Sequence, residues 1–199
     1  MKKFILPAVA SVGIALLVTG CASKEKNLVG PAETAAKTTA AAKNAQPVGL
    51  PTPDPALKLL DKFVGTWSMK GHLVGSDKED IVGQATFHWL DGGFFMQQDV
   101  EMDFAGTTKI KSLELIGYDP GTKALTSSVY SNQSPVPIPC TWDVQGNNLT
   151  ITMSHGPLDA TFKGAFSEDG KSFSGGWRPN PGADEKINVP YDIGGTRVK

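Results

Sequence analysis

Short alternations of apolar and polar residues run through the chain from residue 66 to its end. Strict alternation places successive side chains on opposite faces of a strand, so each such segment predicts a half-buried β-strand. Helical periodicity is missing from this part of the sequence. About ten strands are predicted, over residues 66–74, 82–90, 94–104, 111–118, 124–131, 140–144, 149–153, 160–166, 172–177 and 187–198.

Turn residues join most of these segments directly. They supply either a positive φ angle or a proline that pre-sets the turn, at Asp91-Gly92-Gly93, Asp119-Pro120-Gly121, Gly146-Asn147-Asn148 and Glu168-Asp169-Gly170. Strands joined mostly by tight hairpins form an antiparallel meander, and a meander of this length usually closes into a barrel, which removes both exposed edges. The sequence therefore predicts an all-β fold, a single antiparallel up-and-down β-barrel.

One short helix is predicted before the first strand. Asp54 is a helix-capping residue, and Pro55 suits the first helical position because its missing N–H needs no partner there. The apolar residues that follow form one face at helical spacing; they are Leu57, Leu60, Phe63 and Val64. We expect a helix of about two turns that leads into the barrel.

The first 20 residues have the three parts of a secretory signal peptide. Lys2 and Lys3 are a short basic region, residues 4–18 are largely apolar, and the small residues Thr19 and Gly20 end the segment. The apolar run is too short and too interrupted for a membrane-spanning helix, which needs about 20 apolar residues. Residues 1–20 are therefore excluded from the predicted fold.

The sequence Val18-Thr19-Gly20-Cys21 resembles the lipobox of bacterial lipoprotein precursors. This resemblance implies that Cys21 is acylated and becomes the first residue of the mature chain, anchored to membrane lipid; two or three acyl chains make such anchoring stable. Ala22 and Ser23 follow the cysteine, a pattern similar to that of lipoproteins sorted to the outer membrane. The expected location is the cell envelope, with the domain facing the periplasm. The alternative is an ordinary signal peptide with a cysteine nearby.

Residues 21–54 are predicted to be the lipidated cysteine and a flexible tether. Ala, Lys, Thr, Pro and Gln dominate this stretch, and it cannot bury enough apolar surface to offset the entropy of ordering. Residues 55–199 form the predicted barrel domain. Because Cys21 carries lipid, Cys140 has no partner for an intramolecular disulfide, and we expect its thiol to be a small buried apolar group.

Net charge argues against a nucleic-acid partner. Loss of residues 1–20 removes Lys2 and Lys3, which leaves 17 of the 19 basic side chains against 20 acidic ones. Nucleic-acid binding favours a basic stripe instead. Arginine, the residue suited to bidentate recognition of phosphate or carboxylate, occurs only as Arg178 and Arg197.

Gly65-Thr66-Trp67, at the start of the first predicted strand, resembles the opening of calycin barrels, the group that includes lipocalins and fatty-acid-binding proteins. Those barrels commonly place a basic side chain from the last strand across this tryptophan. Arg197 is at the matching position, so the resemblance implies a cation–π contact between Trp67 and Arg197 that closes one end of the barrel.

Further motifs resemble a family of bacterial calycin-like domains of unknown function. They are the L-x-x-x-V-G-x-W segment at 60–67, Trp89-Leu90-Asp91-Gly92-Gly93, Gly117-Tyr118-Asp119, and the segments 166–170 and 174–177. The resemblance covers residues 55–199. An arginine often follows the paired glycines in that family, whereas Phe94 stands here. The resemblance implies a calycin-like fold and carries no established activity.

No catalytic, metal-binding or haem-binding residues are predicted. Nitrobindin-type barrels bind haem through a histidine late in the chain, but no histidine follows His155. His72 and His88 lie on predicted neighbouring strands and are candidates to approach each other, yet nothing completes a ligand set. Ser154 and His155 are adjacent on a strand and so point to opposite faces, which excludes a simple triad with Asp159.

Aromatic and apolar side chains that alternate with polar neighbours are the candidates for the barrel interior. Leu113 and Leu115 belong to this set, and most of its members are expected to fill the core. The interior of a ten-stranded barrel nevertheless tends to be larger than its inward side chains can fill, which favours a ligand cavity. The predicted lining residues are Phe87, Trp89, Met102, Phe104, Tyr130, Trp142, Phe162 and Trp177. The proline-rich loop 131–139 is a candidate cover for one mouth.

The sequence thus favours a monomeric, lipid-anchored barrel that binds a small apolar or amphipathic molecule. The alternative is a structural or interaction lipoprotein whose barrel is filled and whose outer face meets an envelope partner. A hydrolase or isomerase that uses a buried polar pair is the third hypothesis. A cavity lined by aromatic residues favours the first, a packed interior the second, and converging titratable groups in the cavity the third.

Overall fold

A computed structural model describes residues 51–198 of the chain. Ten antiparallel strands, each paired with its neighbours in sequence, form a barrel that closes where the first strand meets the last. This confirms the predicted calycin-like fold. The strands are β1 (Gly65–Leu73), β2 (Ile81–Trp89), β3 (Phe95–Phe104), β4 (Thr108–Asp119), β5 (Ala124–Ser131), β6 (Ile138–Gln145), β7 (Asn148–His155), β8 (Leu158–Phe166), β9 (Ser172–Pro179) and β10 (Tyr191–Arg197).

The predicted helix is present as a 3₁₀ helix over Pro55–Phe63. The carboxylate of Asp54 caps it by accepting a hydrogen bond of 2.8 Å from the backbone N–H of Ala56. Leu57, Leu60 and Phe63 are buried, so these three residues of the predicted apolar face pack onto the barrel, whereas Val64, the fourth, is 36% exposed. The helix covers one end of the barrel, since the Phe63 ring meets rings from three different strands, those of Phe87, Trp142 and Phe166.

β1 pairs antiparallel with the whole length of β10, from Trp67 opposite Arg197 to Leu73 opposite Tyr191. Glycine allows the close approach of these two strands at Gly71, where a Cβ atom would lie 2.2 Å from the carbonyl oxygen of Asp192. The sheet therefore has no free edge within the described residues, which is the physical advantage of a closed barrel.

The last strand begins at Tyr191, whereas the alternation predicted a strand from residue 187. Residues 180–190 instead form turns held by the buried side chain of Asn188. Its amide accepts a hydrogen bond from the backbone N–H of Asp159 and donates to the carbonyls of Pro157 and Asp184. Pro190 has no N–H to donate to a strand ladder, and the strand pairing starts immediately after it. Within residues 51–198, no helix is long and apolar enough to cross a lipid bilayer.

Candidate functional site

The barrel encloses a cavity of about 440 Å³ between the 3₁₀ helix and the opposite, open end. This volume lies in the range of small-molecule sites, roughly 300–1,000 Å³. Side chains from all ten strands contribute to the wall, and most of them are apolar. Small or polar groups interrupt the wall at Gln98, Ser112, Ser131 and Ala160.

Six of the eight residues predicted to line a cavity do so. Inward-facing alternation explains each of them, because every second side chain of a strand points to the barrel axis. Phe162 and Trp177 form one aromatic wall, with ring centres 5.7 Å apart on the neighbouring strands β8 and β9. The six lining residues are Phe87, Met102, Phe104, Trp142, Phe162 and Trp177.

The prediction was wrong for Tyr130, which lies on the outer face of β5 and is 48% exposed. Its opposite partner on β4 is Leu113, so Leu113 and Leu115 also face outward. A shift of one residue in the assignment of faces moves a whole strand from inside to outside. The alternation around Leu113 and Leu115 therefore predicts the wrong inward face for β4, whose true inward residues include Ser112 and Glu114.

Trp89 also lies outside the cavity wall. Its side chain faces inward from β2, as that of Phe87 does, but Trp89 lies beyond Phe87 at the end of the barrel that the helix covers. Its indole N–H donates a 3.0 Å hydrogen bond to the carboxylate of Asp61 in the helix. Trp89 therefore fastens the helix to the barrel instead of lining the ligand space.

Two connections border the open end of the cavity. The β9–β10 connection contributes Ile187, Asn188 and Val189, and Asn188 holds it in place through the three hydrogen bonds described above. The proline-rich loop contributes Gln133, while its Val136 is 49% exposed. The loop predicted to lie at a mouth thus borders it, and the sequence pattern missed the second connection because it assigned those residues to a strand.

Glu114 is the unexpected residue of the interior. It lies near the middle of β4, opposite Gln98 of β3 and Val129 of β5, and it is 9% exposed. One carboxylate oxygen, Oε1, accepts hydrogen bonds from the hydroxyl of Ser127 and from the indole N–H of Trp142, the latter at 3.0 Å. Both donors converge on the same oxygen atom.

The second carboxylate oxygen of Glu114, Oε2, has no hydrogen-bond partner among the described residues. It is not among their fully enclosed unpartnered atoms, which are one oxygen each of Asp80 and Asp103. Oε2 therefore retains access to the cavity space. No ion pair of the described residues includes Glu114, and its burial raises the pKa of this carboxyl above its ordinary value, against the lowering effect of the hydrogen bonds from Ser127 and Trp142.

Cys140 is buried in the cavity wall beside this group, as predicted for its thiol. Burial raises the pKa of the Cys140 thiol to about 12, the negative charge of Glu114 adds to the rise, and a hydrogen bond with Ser127 opposes it. Tyr191, on the opposite wall, also has a pKa raised by burial. Arg178 borders the cavity, but its guanidinium is bound to Asp192 and to backbone carbonyls.

Trp67 and Arg197 lie at the helix-covered end, outside the cavity wall. The Arg197 guanidinium is 4.3 Å from the centre of the Trp67 ring, and the Trp67 side chain is fully buried. The same guanidinium donates hydrogen bonds to the carbonyls of Lys62 and Val64, where the helix ends. The pair thus joins β1, β10 and the helix at one point.

The histidines do not come together. His72 pairs with Asp192 and His88 pairs with Gln97, near opposite ends of β1 and β2, so the predicted approach of His72 to His88 is wrong. No group of three or more histidine, cysteine or acidic side chains within residues 51–198 is arranged to hold a metal ion. His155 is exposed in the β7–β8 hairpin beside Ser154.

A second depression lies on the outer face of strands β8, β9, β10 and β1 and is open to solvent. Apart from Lys163, its ionisable side chains pair with one another: Arg178 and His72 with Asp192, and Lys70 with Glu79. Because exposed ion pairs satisfy most of these groups, the enclosed cavity offers the stronger site.

Comparison with known protein families gives a match over most of the barrel. The model of the family described as "Protein of unknown function (DUF1579)" matches residues 52–174, from the segment before the 3₁₀ helix into β9. The match includes Glu114 and most of the cavity wall. No curated protein matches the chain.

Proposed function

The chain belongs to the DUF1579 family, and we propose that its barrel binds one small apolar or amphipathic molecule. The enclosed, largely apolar cavity of about 440 Å³ carries this proposal. Protein interiors are normally packed to crystal-like density, and an empty apolar space forfeits contacts that its lining would otherwise make. A ligand that fills the space restores those contacts and stabilises the barrel.

We further propose that this binding takes place in the cell envelope, with the chain anchored to membrane lipid through Cys21. Cys21 and residues 22–50 of the tether lie outside the described residues. Neither a nucleic acid nor a metal or haem cofactor is part of the proposal, and the barrel is expected to act as a monomer.

A filled barrel that meets an envelope partner is the other function considered. That function requires a packed interior and a contiguous apolar patch on the outer face. The cavity argues against it. Ligand binding therefore remains the better supported proposal.

The experiment uses the unit Gly49–Lys199, which is compact by itself and contains the whole barrel and its core. A β-dominated circular dichroism spectrum checks that this unit folds. N-phenyl-1-naphthylamine, an apolar dye whose fluorescence rises in apolar surroundings, then probes the cavity. We expect saturable uptake of one dye molecule per barrel.

Two matched substitutions locate the dye. Ser112→Phe adds a ring inside the cavity, whereas Ser128→Phe adds the same ring on the outer face of β5. Dye uptake should be lost with Ser112→Phe and kept with Ser128→Phe. Equal uptake by both variants, or no uptake by the unsubstituted barrel, would contradict the proposal.

A further inference from the structure

We propose that Glu114 is the polar anchor of the cavity, and that the cavity selects amphipathic molecules whose apolar chain carries a carbonyl group. This inference rests on the proposed function and adds the chemical class of the ligand. In it, the carboxylic acid of Glu114 donates a hydrogen bond from Oε2 to the carbonyl oxygen of the ligand.

The hydrogen bonds around Glu114 fix which oxygen is available. Ser127 and Trp142 both donate to Oε1, as they would to the carbonyl oxygen of a carboxylic acid. The indole nitrogen of Trp142 is also 3.0 Å from the hydroxyl oxygen of Ser127, so the side chains of Glu114, Ser127 and Trp142 hold each other in place. Oε2 is left without a protein partner among the described residues while it retains access to the cavity. The geometry thus presents one oriented polar atom to the ligand.

The absence of a nearby cation among the described residues favours the acid form. Glu114 is the one carboxyl group among the described residues that line the cavity, and the one guanidinium there, that of Arg178, is held by Asp192 and backbone carbonyls. A buried carboxylate without a cationic partner is costly, and the hydrogen bonds from Ser127 and Trp142 offset only part of that cost, so protonation of Glu114 is favoured. A protonated carboxyl is a hydrogen-bond donor, and a carbonyl is the complementary acceptor.

The distribution of polar groups orients the ligand. Glu114 lies halfway along the barrel, with the amide of Gln98 opposite it on β3. Toward the mouth the wall is largely apolar, with Met102, Phe104 and Trp177 among its side chains. A molecule that enters with its carbonyl end first can reach Oε2 and leave its apolar chain against these residues.

The other titratable groups of the cavity wall set the expected pH dependence. The pKa of Cys140 is raised to about 12 and that of Tyr191 is raised by burial, so both stay neutral while Glu114 titrates. Arg178 remains paired with Asp192. Loss of the Glu114 proton is therefore the change that weakens carbonyl binding as the pH rises.

Competition against N-phenyl-1-naphthylamine tests the inference with three probes of similar chain length. Methyl octanoate offers a carbonyl, octylamine offers a cation, and octane offers neither. At a pH below the pKa of Glu114, methyl octanoate should displace the dye at about three- to tenfold lower concentration than octane, the gain of one hydrogen bond. This advantage should shrink as the pH rises.

Two substitutions distinguish the hydrogen bond that Glu114 donates from the effect of its side-chain size. Glu114→Gln keeps a neutral donor of the same size, so methyl octanoate should keep an advantage over octane that no longer depends on pH. Glu114→Met removes the donor and should abolish the advantage. A circular dichroism spectrum shows that each variant has folded.

The outcomes distinguish this inference from the proposed function. Dye uptake with no preference for methyl octanoate, or with a preference that survives Glu114→Met, overturns the inference and leaves ligand binding in place. Preferred binding of octylamine that Glu114→Gln abolishes would show that Glu114 binds cations as a carboxylate, and it would also overturn the inference. A barrel that takes up no dye contradicts both.

Discussion

The guanidinium of Arg197 lies 4.3 Å from the centre of the Trp67 ring, across the seam where the last strand meets the first. The indole N–H of Trp67 donates to the carbonyl of Phe63, and Arg197 donates to the carbonyls of Lys62 and Val64. Both side chains therefore bind the end of the 3₁₀ helix as well as each other. The seam and the helix that covers the barrel depend on the same two residues.

A double-mutant cycle measures this coupling. Trp67→Ala removes a fully buried ring and should cost roughly 3–5 kcal/mol of unfolding free energy. Arg197→Ala should cost about 1–2 kcal/mol, because a cation–π contact and hydrogen bonds to carbonyls are lost. The double variant should lose less than the sum, since either change already removes the shared contact. Strictly additive costs in urea denaturation would mean that the contact contributes nothing.

Glu114 should make the barrel less stable as the pH rises. Its pKa is raised in the folded state, so the folded protein binds more protons than the unfolded chain between the unfolded and folded pKa values. Unfolding free energy should fall across that window, at most by about 1.4 kcal/mol per pH unit, and then level off. Glu114→Gln should flatten this part of the profile in urea titrations at several pH values. If Glu114→Gln leaves the pH dependence of the unfolding free energy unchanged, a group other than Glu114 causes the fall in stability.

Cys140 should react slowly with iodoacetamide at neutral pH, because a thiol with a pKa near 12 is almost never ionised there. At a pH at which Glu114 has lost its proton, Glu114→Gln removes a negative charge that raises this pKa and should speed the reaction. Ser127→Ala removes a hydrogen bond that lowers the pKa and should slow it. Alkylation of the Gly49–Lys199 unit, in which Cys140 is the single cysteine, gives the three rates. Identical rates would contradict the coupling of Cys140 to Glu114 and Ser127.

Cys21→Ser should abolish membrane anchoring, because the acylated thiol is the proposed attachment point. In cells fed an acyl-chain probe, the unsubstituted protein should be labelled and should partition into detergent. The Cys21→Ser protein should carry no label and should not partition into detergent. The Cys140→Ser protein should behave like the unsubstituted protein. Label on the Cys21→Ser protein would contradict the lipid anchor.

The fold was predictable because its signals are local. Turn residues such as Asp91-Gly92-Gly93 and the alternation between them determine where strands lie, and ten antiparallel neighbours have one simple way to remove both edges. The segment before Tyr191 was missed because Ile187 and Val189 alternate like strand residues. What keeps them out of the sheet is the buried amide of Asn188 and its hydrogen bonds to Pro157, Asp159 and Asp184, which no local pattern reveals.

The polar part of the site was not predictable from alternation alone. In β4, Leu113 and Leu115 suggest one inward face, while Ser112 and Glu114 occupy the true inward face. Hydrophobicity selects the wrong face here because the outer surface of β4 carries its own apolar residues, beside Tyr130 of β5. The register between β4 and β5 indicates the correct face, because Ser127 and Ser131 of β5 point to the same side of the sheet as Glu114, the inside of the barrel.

Native mass spectrometry of the Gly49–Lys199 unit, exported to the periplasm of a bacterial host and purified without detergent, tests ligand binding most directly. If the barrel binds a ligand, the spectrum should show a 1:1 complex with a small molecule that dissociates on collisional activation and leaves the mass of the bare chain. Ser112→Phe should carry no such molecule, and Ser128→Phe should retain it. A bare chain that forms no 1:1 complex even after incubation with extracted envelope lipids would contradict ligand binding by the barrel.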